Sequence, residues 1–162
     1  MGELARLDAG IDLRDAPKLA DIQRLHAMLG LMPQVHMEPK HHFANGMYGR
    51  ELLMPAGTLI VGKIHKHEHL AIMVYGDILV YTEAGGKKRL KGYNMMVSPA
   101  ETKRVVYPFE DTLWITIHLD PTGKRNADAL EPELITPDDQ QTLEAFAQEF
   151  LEHMKGTKEL SA

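Results

Sequence analysis

Between residues 43 and 120 no apolar run lasts long before a turn signal stops it. The stretches "ELLMPAG", "HLAIMVYGDILVYTEAGGKKRL", "GYNMMVSPAE" and "TLWITIHL" follow one another at close spacing. Gly76-Asp77 and Gly85-Gly86 read as hairpin or turn markers. Many short strands in so little chain must share faces to bury their apolar side chains, which predicts a sandwich or small barrel. With 162 residues in all, one domain is expected.

Both flanks read as helical. Residues 1–42 hold "APKLADIQRLHAMLGLMP", where Leu19, Ile22, Leu25, Met28 and Leu29 recur at helical spacing. Gly30 is placed to cap that helix, and Pro33 lies just past its end. Residues 121–162 open with a polar stretch, "DPTGKRNADALEPEL", which predicts a surface loop. They continue with "TPDDQQTLEAFAQEFLEHMKG". There Thr136 is the expected N-cap, Pro137 the first helical residue and Asp139 the third. Leu143, Phe146, Ala147, Phe150 and Leu151 form an apolar stripe, and Gly156 is the expected stop.

Composition narrows the function. Apolar residues make up 44% and charged residues 25%, the balance of a globular protein. The formal net charge is -5 with no long basic run, which argues against nucleic acid as a partner. With no cysteine there is no disulfide, thiolate metal site or Cys nucleophile. A metal would have to use His, carboxylate, Tyr or water. "MGELARLDAGIDLRD" has early acids and no apolar core, so it does not read as a signal peptide. No run approaches the ~18 apolar residues of a membrane span. No membrane association and a cytoplasmic location are therefore expected.

One stretch departs from a plain strand pattern. "GTLIVGKIHKHEHLAIMVYGDILV" carries His65, His67 and His69 at alternate positions. In a straight strand alternate side chains share a face, so Lys63, His65, His67, His69, Ala71 and Met73 would point one way. Residues two apart lie roughly 6.6–6.8 Å apart along the strand, and residues four apart about 13 Å. His65 and His69 meet on one bound species only if the chain bends at Lys66–Glu68. Downstream, Trp114, Thr116 and His118 alternate with Leu113, Ile115 and Ile117, so one set faces the core and the other a pocket or solvent.

The spacing of Gly57, Lys63, His65, His69 and Gly76 resembles the first motif of the cupin superfamily, G-x5-H-x-H-x3-4-E-x6-G. "GYNMMVSPAETKRVVYP" resembles the second, G-x5-P-x-G-x2-H-x3-N, with Pro99 one residue late, Glu101 for the motif Gly, Arg104 for the His and Pro108 for the Asn. "HHFANGMYGRELLMPAG", "GKIHKHEHL" and "TKRVVYPFEDTLWITIH" are similar to a group of small cupin-like proteins of phage and bacterial genomes. The resemblance implies a mostly β fold: a jelly-roll barrel with flanking N- and C-terminal α-helices, paired as a homodimer. It also implies a site inside the barrel, commonly on a metal held by histidines and a glutamate. The narrower group adds His42, Tyr48, Arg50, Glu68 and His118 as pocket residues.

At the four implied ligand positions this chain reads Lys63, His65, His69 and Arg104. Lys must lose its proton to ligate, and Arg stays protonated. The expected metal set is therefore His65 and His69 with His67 or Glu68, around divalent Fe, Mn, Ni or Zn. Lys63, Arg104, Tyr48, Trp114 and His118 are the expected contacts to a small-molecule ligand. Three classes follow. One is a metal-dependent enzyme such as an oxygenase, isomerase or lyase. Another is a metal-free cupin that uses Lys63, Arg104 and the histidines on an anionic small molecule. The third is a structural or interaction protein with the barrel as scaffold. Titratable groups interrupting a central strand favour the first two.

Overall fold

The computed structural model describes residues 6–7, 11–12 and 18–160. Most of "MGELARLDAGIDLRD" lies outside these. The elements are β1 (Arg6–Leu7), β2 (Ile11–Asp12), α1 (Leu19–Gly30), β3 (Lys40–Ala44), β4 (Met47–Met54), β5 (Ile60–Val61) and β6 (Ile64–His65). They continue with β7 (His69–Thr82), β8 (Gly86–Lys91), β9 (Asn94–Ser98), β10 (Arg104–Leu119), α2 (Ala127–Leu134), β11 (Ile135–Thr136) and α3 (Gln140–Leu160).

The fold is mostly β with flanking helices, as the alternation predicts. Seven strands form one sheet in the order β3-β4-β10-β7-β8, with β5 on β10 and β9 on β7, every pair antiparallel. The two long strands carry it. The first half of β7 pairs with β9 and the second half with β8, so one 14-residue strand serves both ends of the molecule. Inward side chains from six strands meet in one cluster: Leu52, Met54, Ile60, Ala71, Met73, Ile78, Val80, Leu90, Met96, Val106 and Trp114. The sheet wraps around this cluster as a barrel of jelly-roll type.

Gly76 is not the hairpin marker the sequence suggests. It lies inside β7, at φ +126°, beside shifts in the β7–β10 register. A positive-φ glycine serves a bulge as well as it serves a turn. A Cβ here would fall 2.0 Å from Thr112 Oγ1 and 2.8 Å from Thr112 Cα, so the strands close to a distance only glycine permits. The Gly92 N–H donates to the Gly76 carbonyl at 2.9 Å, which joins the two motif glycines. Next to it Asp77 is buried and accepts from Arg89 Nε and Nη2, each at 2.8 Å. Gly85-Gly86 does close the β7–β8 hairpin.

The helices pack outside. In α1, Ile22, Leu25 and Met28 are buried against Val105 and Tyr81 on the outer wall, and Phe150 of α3 joins them. The Lys18 N–H donates to the Asp21 carboxylate at 3.0 Å, which satisfies one free donor at the helix start. The apolar stripes of the two helices thus face one another and the sheet within one chain. A buried Lys103–Asp138 ion pair ties the segment before α3 to the barrel. Thr136 is not the cap of α3. It pairs with Ile64 in the β11–β6 ladder, and Asp139 takes over, accepting from Gln141 N at 3.1 Å and Thr142 N at 3.3 Å. The helix also runs through Gly156 to Leu160. Of the stretch expected to be a loop, residues 127–134 form α2, with Leu130 and Leu134 buried against Tyr48. His41 and His42 lie in β3, since the sheet starts at Lys40.

Candidate functional site

The histidine-bearing stretch is broken by a bend at Lys66 and His67, between β6 and β7. Two backbone bonds and one strand pairing shape it. Lys66 N donates to Leu134 O at 2.8 Å, Glu101 N donates to His65 O at 2.8 Å, and β6 pairs with β11. With the chain folded back, the His65 and His69 rings lie 4.2 Å apart between centroids. His118 arrives from the far end of β10, on the inward parity shared with Trp114 and Thr116. Its ring is 4.9 Å from that of His65 and 4.4 Å from that of His69.

The three histidines each offer a ring nitrogen, all within 4.8 Å of one another. His65 Nδ1 lies 2.9 Å from His69 Nε2. Two nitrogens bound to one ion at ~2.0–2.1 Å stand roughly 2.9–3.4 Å apart at octahedral or tetrahedral angles. His69 Nδ1 lies 3.2 Å from the His67 carbonyl, which favours a proton on Nδ1 and leaves Nε2 as a lone pair toward the cluster. Protonation is suppressed throughout. Burial, then the neighbouring His69 and His118, pulls His65 down to about 3. Burial, then His69 and Arg50, pulls His118 to about 4. Burial also lowers His69. At neutral pH the cluster is three uncharged imidazoles, the form a metal needs. The donor set and spacing fit a divalent ion.

The other expected residues divide. His67 and Glu68 are exposed, and although His67 is near enough to help lower His118, the third imidazole of the cluster is His118 and not either of them. Lys63 is exposed and ion-paired with Glu131 of α2. The straight-strand parity that put it beside His65 is lost because the chain leaves the sheet between β5 and β6. Trp114 is buried in the apolar cluster, in register with Leu52 and Met73. Tyr48 faces the site: it is paired in register with His118, and the rings lie 6.1 Å apart. Its hydroxyl is 2.8 Å from His41 Nδ1. Arg104 reaches inward and donates to Ser98 Oγ at 2.7 Å. Arg50, on β4, is in register with Thr116 and stands close enough to lower His65 and His118. His42 points to Glu51 on the exposed side, at 3.0 Å.

A separate hollow of about 550 Å³ lies between α1, the following segment and the outer wall, lined by Leu25, Met28, Met37, Leu59, Leu79 and Tyr107 among others. It shares no residue with the histidine cluster.

Among solved structures, the chain is similar to ectoine synthase from P. lautus, at 14% identity and TM-score 0.48, over 67% of this chain and 83% of that one. It is similar to KdgF from Halomonas sp. at 21% identity and TM-score 0.44, over 52% and 81%. A cupin-2 domain containing protein from Shewanella frigidimarina aligns at 13% identity and TM-score 0.44, over 59% and 92%. No protein-family model and no curated protein matches the chain. Among the described residues no helix is long and apolar enough to cross a membrane.

Proposed function

We propose that this chain is a cupin-type protein whose barrel presents a divalent metal, held by His65, His69 and His118, to a small molecule. One observation carries the reading: three uncharged imidazoles from two distant parts of the chain converge with their nitrogens within 4.8 Å. Gathering three largely buried rings, of which only His65 and His69 share a hydrogen bond with each other, costs free energy that packing alone does not return. A shared ligand supplies the return. All-nitrogen donors suit Fe, Mn, Ni or Zn over Mg or Ca. When bound, such an ion supplies Lewis acidity toward an oxygen of the small molecule. The chain's own groups do the rest. The His67 carbonyl orients His69, Ser98 holds Arg104 inward, and His41 fixes the Tyr48 hydroxyl. Leu130 and Leu134 of α2 pack against Tyr48.

Elemental analysis of the untagged protein, as purified and after reconstitution with each of the four metals, tests this. One ion per chain, lost in His69→Ala and in His118→Ala, is the expected result. No retained ion in the wild type, or full occupancy in both variants, overturns it.

A further inference from the structure

Among the described residues no carboxylate pairs with the two arginines beside the histidines, Arg50 and Arg104, and Glu131, whose charge is felt at Tyr48, is taken by Lys63. The inward residues of β4, β10 and β7 line up in rows. Arg50, Thr116 and Ala71 form one row by register. The adjacent row holds Tyr48 and His118, with His69 opposite Ser98 on the β7–β9 side. Arg50 enters from the β4 side, and Arg104 is held on the β9 side by Ser98. Among the described residues Arg50 has no hydrogen-bond or ion-pair partner, and the partner of Arg104 is a neutral hydroxyl. In contrast, Asp77, also inside the sheet, is matched by Arg89. Thr116 is 6% exposed, and its Oγ1 is buried with no partner. Ala71 beside it, fully buried, is the smallest inward side chain of the row.

Buried charges and hydroxyls are ordinarily satisfied. Here a buried hydroxyl is left without a partner, and two half-buried guanidinium groups lack an acid, at the place where three imidazoles also converge. Ligands made only of neutral imidazoles would leave the charge of a bound divalent ion uncompensated as well. The whole chain carries a net charge of -5, so the positive interior runs against its overall balance. We infer that the small molecule taken up here is an organic acid whose carboxylate is held between Arg50 and Arg104, with the Thr116 hydroxyl as a third donor. Guanidinium groups match a planar carboxylate through paired N–H donors. This rests on the reading of the histidine cluster as the ligand site, and it names the class of ligand.

The probes are malonate, its neutral isostere malonamide, and inorganic phosphate, titrated calorimetrically into the full chain before and after metal removal. Metal content per chain is measured in parallel. Malonate should bind at least about tenfold more tightly than malonamide. Arg104→Gln and Arg50→Gln should each weaken malonate at least about tenfold with metal content unchanged. Arg104→Lys, which keeps the charge but not the paired donors, should fall between. Circular dichroism confirms that each variant is folded. Equal binding of malonate and malonamide, no binding of either, or wild-type affinity in both glutamine variants overturns the inference. Phosphate binding more tightly than malonate overturns the carboxylate assignment. Arginine-dependent malonate binding by a chain that retains no metal supports the inference and overturns the metal reading, so the two fail separately.

Discussion

The two ends of the barrel are built from the same two strands and do opposite things. Beyond the Gly76–Asp77 bulge, β7 and β10 contribute Ile78, Val80 and Val106, which pack with Ile60 and Leu90 into apolar filling. Before it, the same strands add Met73 and Trp114 to that filling and then, toward their ends, contribute His69, Ala71, Thr116 and His118, joined by Arg50, Tyr48 and Ser98. Inward residues alternate within each end, with the parity of β7 changing at the bulge from Ala71 and Met73 to Ile78 and Val80, so pattern alone does not separate them. What separates them is satisfaction. Beyond the bulge the buried Asp77 is matched by Arg89, while around the histidines Arg50, and Arg104 reaching across from the start of β10 to Ser98, have no acidic partner among the described residues and Thr116 Oγ1 has no hydrogen bond. A fold that places its stability at one end is free to leave the other incomplete for a ligand.

The largest effect should come from the joint between the ends. Gly76→Ala puts a side chain into Thr112 at a φ of +126°. Strain and overpacking together should cost about 3 kcal/mol or more, read by urea unfolding. A cost below about 1 kcal/mol would show that the bulge is soft and that the ends are not rigidly joined.

Next comes a direct contrast. Ile78 is fully buried in the apolar end, so Ile78→Ala should lower stability by about 2–5 kcal/mol and leave metal content per folded chain intact. His118→Ala should do the reverse, abolishing metal retention with a smaller loss of metal-free stability. If both variants unfold to the same degree without metal, the histidine end is as structural as the apolar one.

Acid should act on one end first. In the metal-free chain His65 titrates at about 3 and His118 at about 4, below the unfolded value near 6.5. As pH falls below about 6.5 the unfolded chain takes up protons that the folded chain refuses, so stability drops, and it keeps dropping toward about pH 3. Above that window both states are neutral and the contribution is level. Carboxylates such as Asp77 and Asp139, whose pKa values are lowered by hydrogen bonds, add losses only below their own unfolded range near 4. Unfolding at pH 7 and pH 5 should therefore differ in the wild type, and differ less in a His65→Phe, His118→Phe variant. An unchanged difference would place the sensitivity elsewhere.

What the sequence showed follows from which signals are local. The barrel was legible because alternation and turn residues act within a few positions. So was α1, where Ile22, Leu25 and Met28 fall on one face. Helix α2 was hidden because it is short, carries Pro132 inside it and is held by only two buried leucines, Leu130 and Leu134. His65 and His69 stood out by their spacing. His118 was visible only as a pocket candidate, since its place in the cluster depends on β10 pairing with β7 across the whole barrel. The pairing of Arg50 with Thr116 is likewise a matter of register, which no single stretch contains.

The smallest effect should belong to Lys63. By strand parity Lys63 belongs with His65 and would join the ligand contacts. In the structure it is exposed and paired with Glu131, on the outside of the polar end. An exposed ion pair contributes about 0–1 kcal/mol, and salt screens it. Lys63→Ala should therefore shift stability by less than about 1 kcal/mol and leave metal content and malonate affinity at wild-type levels. The same measurements on Arg104→Gln, at the last of the four implied ligand positions, should show a large loss of malonate. A Lys63→Ala variant that loses malonate as Arg104→Gln does would mean that Lys63 swings inward when the ligand arrives. The polar end would then be completed by the bend that carries Lys63 and His65 as well as by the strands.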